Sequence, residues 1–187
     1  MVTRNALTLL AVSTFAWACA DSQPTDPAPT TPDLAAPGLE ASGGRHDDAS
    51  FRQLLGLVAI TAPYHNTRRA RAAGFDGTGE PCVASPDGAM GYHWVNGPRV
   101  DNVVNWREPE VLVYYPAPDA HDGVRLGAIE YVVPMAAWTE AEPPSLFGET
   151  FVPGGPGGAL WTLHVWLWKY NPSGLFAPWN PRVSCPA

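Results

Sequence analysis

Residues 158–186 read GALWTLHVWLWKYNPSGLFAPWNPRVSCP, and this stretch decides how the rest of the chain is arranged. Its first part, Leu160–Tyr170, alternates between two sets of side chains, as a β-strand does because successive residues point to opposite faces of a sheet. One set is apolar and predicts a core face: Trp161, Leu163, Val165 and Leu167. The other set combines rings with polar groups and predicts a face that lines a pocket: Thr162, His164, Trp166, Trp168 and Tyr170. The prolines and glycine that follow favour turns, so we expect the chain to leave the sheet there and wrap around the domain.

The body of the protein, residues 51–187, is predicted to be a single α+β domain. Its length suits one hydrophobic core, and the 21 prolines and 18 glycines of the chain indicate many turns and few long helices. Apolar residues at helical spacing predict helices over 51–58 and 61–73. Runs of β-branched and aromatic residues predict strands over 88–96, 110–115 and 125–133, the last two joined as an antiparallel hairpin. We therefore expect N-terminal helices packed on a curved, mainly antiparallel sheet of four to six strands.

Residues 1–18 have the pattern of a secretory signal peptide. Arg4 precedes the apolar run Ala6–Trp17, which is too short for a membrane-spanning helix. Residues 19–50 are rich in Pro, Thr, Asp and Ala and contain almost no large apolar side chain, so they cannot bury enough surface to fold. The sequence therefore predicts an exported protein with a disordered tether ahead of its domain.

The residues Ala16-Trp17-Ala18-Cys19 resemble a bacterial lipoprotein signal. This resemblance implies that Cys19 becomes the lipid-modified N-terminus and that the protein meets the membrane through this anchor only. Ala20 follows the cysteine in place of an aspartate, which by likeness to the bacterial sorting rule implies the outer membrane. The alternative is ordinary signal cleavage after Ala18 or Ala20, which would make the protein periplasmic or secreted.

The charge of the chain argues against nucleic acid as a partner. The formal net charge is -7, and the body holds only nine Lys and Arg against twelve Asp and Glu. Its basic cluster, Arg68, Arg69 and Arg71, is small, whereas binding to nucleic acid depends on neutralising many phosphates. We expect a small-molecule ligand and no nucleic acid.

The three cysteines divide into one anchor and one pair. Cys19 is assigned to the lipid, which leaves Cys82 and Cys185 in the body of an exported protein. We expect these two to form a disulfide that holds the C-terminal segment onto the start of the domain. Two thiolate metal ligands are the alternative, but neither cysteine has a second Cys or His at ligand spacing.

Three ligand-type side chains lie at the centres of predicted strands: His93, Glu130 and His164. Two imidazoles and a carboxylate suit one zinc or iron ion with open positions for water or substrate. Strand alternation allows all three to share one face of the sheet, while a slip of one residue would separate them. One hypothesis is therefore a mononuclear metal-dependent enzyme, and its alternative is that these side chains are satisfied core residues.

A second hypothesis is a binding module with an aromatic pocket. The rings considered for it are Tyr92, Trp94, Trp161 or Trp166, Trp168 and Tyr170, with His93 and His164 as polar contacts. Of these, the predicted ligand-binding residues are His93, His164, Trp166, Trp168 and Tyr170. Clefts lined by rings with a few polar groups suit small apolar molecules or sugars. The alternatives are that the rings fill the core of a turn-rich domain and that the chain is a structural surface lipoprotein acting by protein contact. We place ligand binding first and the metal enzyme second.

Several longer motifs resemble a group of uncharacterised secreted or lipid-anchored bacterial proteins. The most specific are GAMGYH at 88–93 and NPSGLFAPWNPRVSC at 171–185, and the likeness extends over Ala62–Pro186. The resemblance implies a single exported domain. It implies no activity, cofactor or catalytic residue.

Overall fold

The computed structural model describes residues 44–186, with side chains from residue 48 onward. The predicted signal peptide, the lipidation site Cys19 and most of the predicted tether lie outside these residues. Helix α1 covers Gly44–Thr61, a 3-10 turn covers Ala62–His65, and helix α2 covers Thr67–Ala72. Residues 44–50, which we assigned to the tether, therefore belong to α1. No helix in the described part of the chain is long and apolar enough to cross a membrane.

The helices divide where the sequence contains Pro63. This proline sits in the first turn of the 3-10 segment, where a backbone N–H is not needed, and the Asn66 side chain then accepts hydrogen bonds from the first N–H groups of α2. Leu57 of α1 and Ala70 of α2 are fully buried. Both helices are thus attached to the sheet through one apolar side each.

The strands form one antiparallel six-stranded sheet that curls like half of a barrel. In chain order they are β1 (Val83–Ser85), β2 (Gly88–Val95), β3 (Val111–Pro116), β4 (Val124–Pro134), β7 (Val152–Gly154) and β8 (Leu160–Val165). Their spatial order is β1-β2-β3-β4-β8-β7. Between β4 and β7, a separate two-stranded ribbon joins β5 (Ser145–Leu146) to β6 (Glu149–Thr150). The predicted α+β class, the hairpin of β3 and β4, and a sheet of up to six strands are confirmed.

The sheet is covered on both faces, and the two faces differ in size of side chain. The helix face carries large groups that pack with the helices: Leu112, Tyr114, Ile129, Tyr131, Leu163 and Val165. The tail face carries smaller groups that pack with the C-terminal segment: Ala89, Val111, Val113, Ala128 and Val132. Alternation along β3 and β4 accounts for this separation, because neighbouring residues of a strand point to opposite faces.

The C-terminal segment leaves the sheet earlier than the sequence pattern indicates. Strand β8 ends at Val165, and the Trp166 N–H donates to the Leu175 carbonyl at 2.8 Å instead of to a neighbouring strand. The prediction of a strand running to Tyr170 is therefore wrong. The predicted core positions Trp161, Leu163, Val165 and Leu167 all pack against the helix-face cluster.

The wrapped segment returns to the other end of the sheet. Asn180 is fully buried and exchanges two backbone hydrogen bonds with Ala89, and Val183 packs into the tail face. The predicted disulfide between Cys82 and Cys185 is present, with Cα atoms 5.6 Å apart. The segment is thus held by both backbone pairing and a covalent bond.

Candidate metal centre

Three strands bring His93, Glu130 and His164 together on the tail face. Glu130 of β4 pairs directly with His164 of β8, so their side chains leave the sheet on the same side. Across β3, Val111 is the partner of Glu130 and Val113 is the partner of His93. Valines are short enough to let the longer histidine and glutamate side chains meet above the intervening strand. The predicted common face of these three residues is therefore present.

A glycine in β2 places His93 on that face. Gly91 has φ of +115°, and a Cβ atom there would lie 2.3 Å from the Tyr114 carbonyl oxygen. Only glycine accepts both the conformation and the close approach. Beyond this point Tyr92 and Trp94 pack with the helix face, which leaves His93 between them on the tail face. Gly91 thus allows β2 to pass close to Tyr114 of β3 directly before the paired segment that contains His93.

The ligand atoms of the three side chains lie within 4.8 Å of one another. His93 Nε2 is 3.4 Å from one Glu130 oxygen, and His164 Nε2 is 3.6 Å from the other. The two imidazole rings meet edge to face, with centroids 6.0 Å apart. Bonds near 2 Å place two ligand atoms of one ion roughly 3 to 3.5 Å apart, so small side-chain rotations would close this set around a metal.

Burial sets the protonation of the cluster. The His164 and Glu130 side chains are 2% and 7% exposed, and that of His93 is 17% exposed. Burial lowers the pKa of both histidines well below the ordinary value, and the nearby His93 lowers the pKa of His164 further. Burial also raises the pKa of Glu130. Burial thus favours the uncharged form of all three side chains in the metal-free cluster.

One atom of the cluster is left without a partner. His164 Nε2 is buried, and it is the single buried side-chain nitrogen or oxygen in the described part of the chain that makes no hydrogen bond. The 3.6 Å separation from Glu130 is too long for one. Unpaired polar atoms of this kind cost roughly 1 to 3 kcal/mol and call for an explanation. A metal ion bound at Nε2 would provide that explanation, and the donor set fits zinc or iron.

The other predicted site residues lie away from this cluster. Trp166 is buried, and its indole N–H donates to the Ala177 carbonyl at 2.7 Å. Trp168 packs with its ring centroid 4.4 Å from that of His65 and donates to the Thr61 hydroxyl. Tyr170 is 68% exposed and is covered only by the guanidinium of Arg182. Trp166 and Trp168 thus hold the wrapped segment through their indole N–H groups, whereas Tyr170 lies at the surface.

Glu110 is a buried carboxyl that the sequence interpretation missed. It is 3% exposed, and its Oε2 accepts the Val132 N–H at 3.1 Å. One residue earlier, the Pro109 carbonyl accepts a hydrogen bond from the Arg99 side chain. Burial raises the pKa of Glu110 to about 8. An acidic residue directly ahead of the apolar run VLVYY is the one signal that pointed to it.

A cleft also opens on the helix face. It measures about 450 Å³ and lies between α2, β2 and the turn of the β3–β4 hairpin. Tyr92 and Trp94, two of the rings considered for an aromatic pocket, line it, whereas Trp166, Trp168 and Tyr170 do not. Comparisons of the chain with protein-family models, with curated proteins and with solved structures found no match.

Proposed function

We propose that this protein binds one divalent transition-metal ion, zinc or iron, through His93, Glu130 and His164, and that it is a mononuclear metal-dependent enzyme. The observation that carries the proposal is the meeting of three ligand atoms from three strands around an unpartnered imidazole nitrogen. Elsewhere in the described part of the chain, buried side-chain nitrogen and oxygen atoms have hydrogen-bond partners. The cluster is therefore the place where a buried ring nitrogen remains available to bind a ligand.

The surroundings of the three side chains favour a pre-formed site. Each of the three side chains lies on a strand that is paired with its neighbours. The pairing of β4 with β8 holds Glu130 beside His164, and the positive φ of Gly91 lets β2 approach β3 next to His93. Ligands held on sheet strands keep their positions better than ligands on loops. The neutral state of both imidazoles is also the state that donates a lone pair to a metal.

The exposure of His93 indicates where the site opens. His164 and Glu130 are enclosed, whereas the His93 side chain keeps 17% of its surface accessible. Two imidazoles and one carboxylate leave coordination positions free, and these would face the His93 side. A metal in such a set supplies Lewis-acid chemistry and activation of bound water. The protein's part is to orient the ligands and exclude solvent from two of them.

Export to the cell envelope belongs to the same proposal. The disulfide of Cys82 and Cys185 suits an oxidising compartment. The signal-like N-terminus and the residues around Cys19 support a lipid anchor at the outer membrane. Likeness to the secreted or lipid-anchored bacterial group, through GAMGYH and NPSGLFAPWNPRVSC, points the same way.

Metal analysis tests the centre directly. The mature domain, prepared without a histidine tag and loaded with Zn²⁺ or with Fe²⁺ under anaerobic conditions, should retain one ion per chain after desalting. His93→Ala, His164→Ala and Glu130→Gln should each weaken metal binding more than the roughly 10- to 100-fold that loss of an outer-shell partner produces. His121→Ala is the matched control, because His121 lies exposed in the hairpin turn.

Thermal unfolding supplies an independent readout. A metal at a hundredfold excess over its Kd stabilises the protein by about 2.7 kcal/mol, and this gain should appear in the parent and in His121→Ala only. Absence of stoichiometric metal in the parent, together with no stabilisation by either ion, would overturn the metal centre. The cluster would then be a structural feature of the tail face, as the structural-lipoprotein alternative requires.

A further inference from the structure

We propose that the cleft between α2 and β2 is a second binding site, and that it takes a small molecule carrying an oxyanion, carboxylate or phosphate, attached to a ring. The cleft measures about 450 Å³, within the range of roughly 300 to 1,000 Å³ typical of ligand pockets. It lies on the helix face, where Tyr92 and Trp94 point, and His93 between them points to the tail face. The proposal is therefore independent of the metal centre.

Two arginines of α2 define the anion end of the cleft. Arg68 and Arg71 are three residues apart, so they project from the same side of the helix, and both line the cleft. Among the side chains that the structure describes, neither forms an ion pair. Two adjacent guanidinium groups repel each other unless an anion lies between them. A carboxylate or phosphate offers several oxygens to such a pair.

The aromatic part of the cleft is rigid. Trp94 packs against Tyr114 with ring centroids 4.6 Å apart, and the Arg71 guanidinium lies 4.4 Å above the Trp94 ring. Gly77 permits this arrangement, because a Cβ atom there would lie 2.1 Å from Trp94 Cδ1. Arg71 is thereby oriented before any ligand binds. Val124 and Tyr92 add apolar surface beside it, which suits a ring.

Two acidic residues also line the cleft, and they affect it differently. Asp122 already accepts hydrogen bonds on both oxygens, from the Thr67 hydroxyl and from His121 Nδ1. Its charge is thus partly satisfied within the protein. Glu80 has no such partners among the described side chains and reduces the positive potential. Removing the Glu80 charge should therefore strengthen binding of an anion.

Calorimetric titration with simple probes tests this site. The parent should bind benzoate and phenyl phosphate in a saturable manner and benzyl alcohol much more weakly, because the alcohol lacks the oxyanion. The tighter of the two anions identifies the oxyanion as carboxylate or phosphate. Inorganic phosphate alone should bind more weakly than phenyl phosphate, since it cannot use Tyr92 and Trp94. Failure of both aromatic anions to bind would overturn the proposal.

Variants place the probe in the cleft. Arg71→Ala and Arg68→Ala should each weaken anion binding by about 10- to 100-fold, as expected for lost hydrogen bonds to a charged group. Arg69→Ala is the matched control, because Arg69 is on the same helix and does not line the cleft. An equal loss in Arg69→Ala would show only a response to net charge and would overturn the proposal.

Three further variants distinguish loss of the anion site from misfolding and from effects of the metal centre. Arg71→Lys keeps the charge and the fold but loses the planar fork, so it should give an intermediate loss. Glu80→Gln should tighten anion binding a few-fold, and tighter binding cannot come from damage to the fold. His164→Ala should leave the anion affinity unchanged. Weaker binding in Glu80→Gln, or lost binding in His164→Ala, would contradict the assignment.

Discussion

The buried tyrosines of the helix face and the buried His164 of the tail face differ in how their polar atoms are paired. On the helix face, the Tyr131 hydroxyl donates to the Trp106 carbonyl at 2.7 Å and the Tyr114 hydroxyl donates to the Tyr64 carbonyl at 2.5 Å. On the tail face, His164 and Glu130 are equally buried, yet their contact is too long for a hydrogen bond. Buried polar groups that have hydrogen-bond partners stabilise a fold, whereas a buried polar group without a partner remains able to bind a ligand. The difference is why the metal centre is assigned to the tail face.

The largest expected effect concerns the bond that holds the tail onto its face. Replacing Cys82 and Cys185 by serine opens a loop with a sequence separation of 103 and should destabilise the domain by about 4 to 5 kcal/mol in the chain-entropy account. Urea unfolding measures the change, and reduction of the parent should reproduce it. A loss below about 1 kcal/mol would mean that the backbone pairing of Asn180 with Ala89 holds the tail by itself.

Burial of the Glu110 and Glu130 carboxyls should make the stability of the domain depend on pH. The pKa of Glu110 is about 8 in the folded protein and near 4.5 in the unfolded chain, so the unfolded state releases this proton first. Stability should therefore fall as pH rises from about 4.5 to about 8, by at most about 1.4 kcal/mol per pH unit for this group. Glu110→Gln keeps an acceptor for the Val132 N–H and should remove that part of the fall.

Urea unfolding of the metal-free protein at several pH values checks this expectation. Glu110→Gln should match the parent near pH 4.5 and exceed its stability near pH 8. Glu108→Gln is the control, because Glu108 is exposed and accepts a hydrogen bond from the Asn105 side chain. Identical pH dependence of the parent and Glu110→Gln would show that the Glu110 carboxyl ionises as easily as one in water.

Opposite signs are expected for one substitution on each face. Tyr131→Phe leaves the Trp106 carbonyl without its donor and should destabilise by about 0.5 to 1.5 kcal/mol. His164→Leu removes an unpaired buried nitrogen and should stabilise the metal-free protein by about 1 kcal/mol, while abolishing metal binding. Denaturant unfolding without metal measures both. Destabilisation by His164→Leu of the same size as by Tyr131→Phe would remove the distinction between the faces.

The smallest effect is expected at Tyr170, which lies on neither face. Because the ring is 68% exposed, Tyr170→Ala should change stability by less than about 0.5 kcal/mol. Metal binding and anion binding should both be unchanged. Loss of metal binding or of anion binding in this variant would show that Tyr170 belongs to a binding site, as the strand pattern of Leu160–Tyr170 first indicated.

The fold was largely predictable because its strands alternate. VLVYY and AIEYVV have the period of a sheet, the Pro, Asp and Gly between them mark a hairpin, and the cysteine pair followed from export. The end of β8 was not predictable, because the Trp166 N–H turns to the Leu175 carbonyl, a contact that a periodic pattern does not encode. The start of α1 at Gly44 was missed since the preceding composition resembles a tether.

The candidate metal centre was predictable residue by residue, but its assembly was not. Alternation placed each of His93, Glu130 and His164 in its strand and allowed, without requiring, a common face. That they meet depends on β8 pairing with β4 and on the register across β3, which is information from residues far apart in sequence. Two rings of the cleft, Tyr92 and Trp94, were candidates from the sequence, but their meeting with α2 and the hairpin turn depends in the same way on residues far apart in sequence.

The disulfide gives the candidate metal centre one more property. His93, Glu130 and His164 all lie between Cys82 and Cys185, so every ligand belongs to one closed covalent ring. A protease that cuts the exposed turn at His121 would produce two pieces that remain linked. The nicked protein would still run as one molecule without a reductant, and its three ligands would stay on a single entity. A single cut in the backbone at this turn would therefore leave the three side chains on one covalently linked molecule.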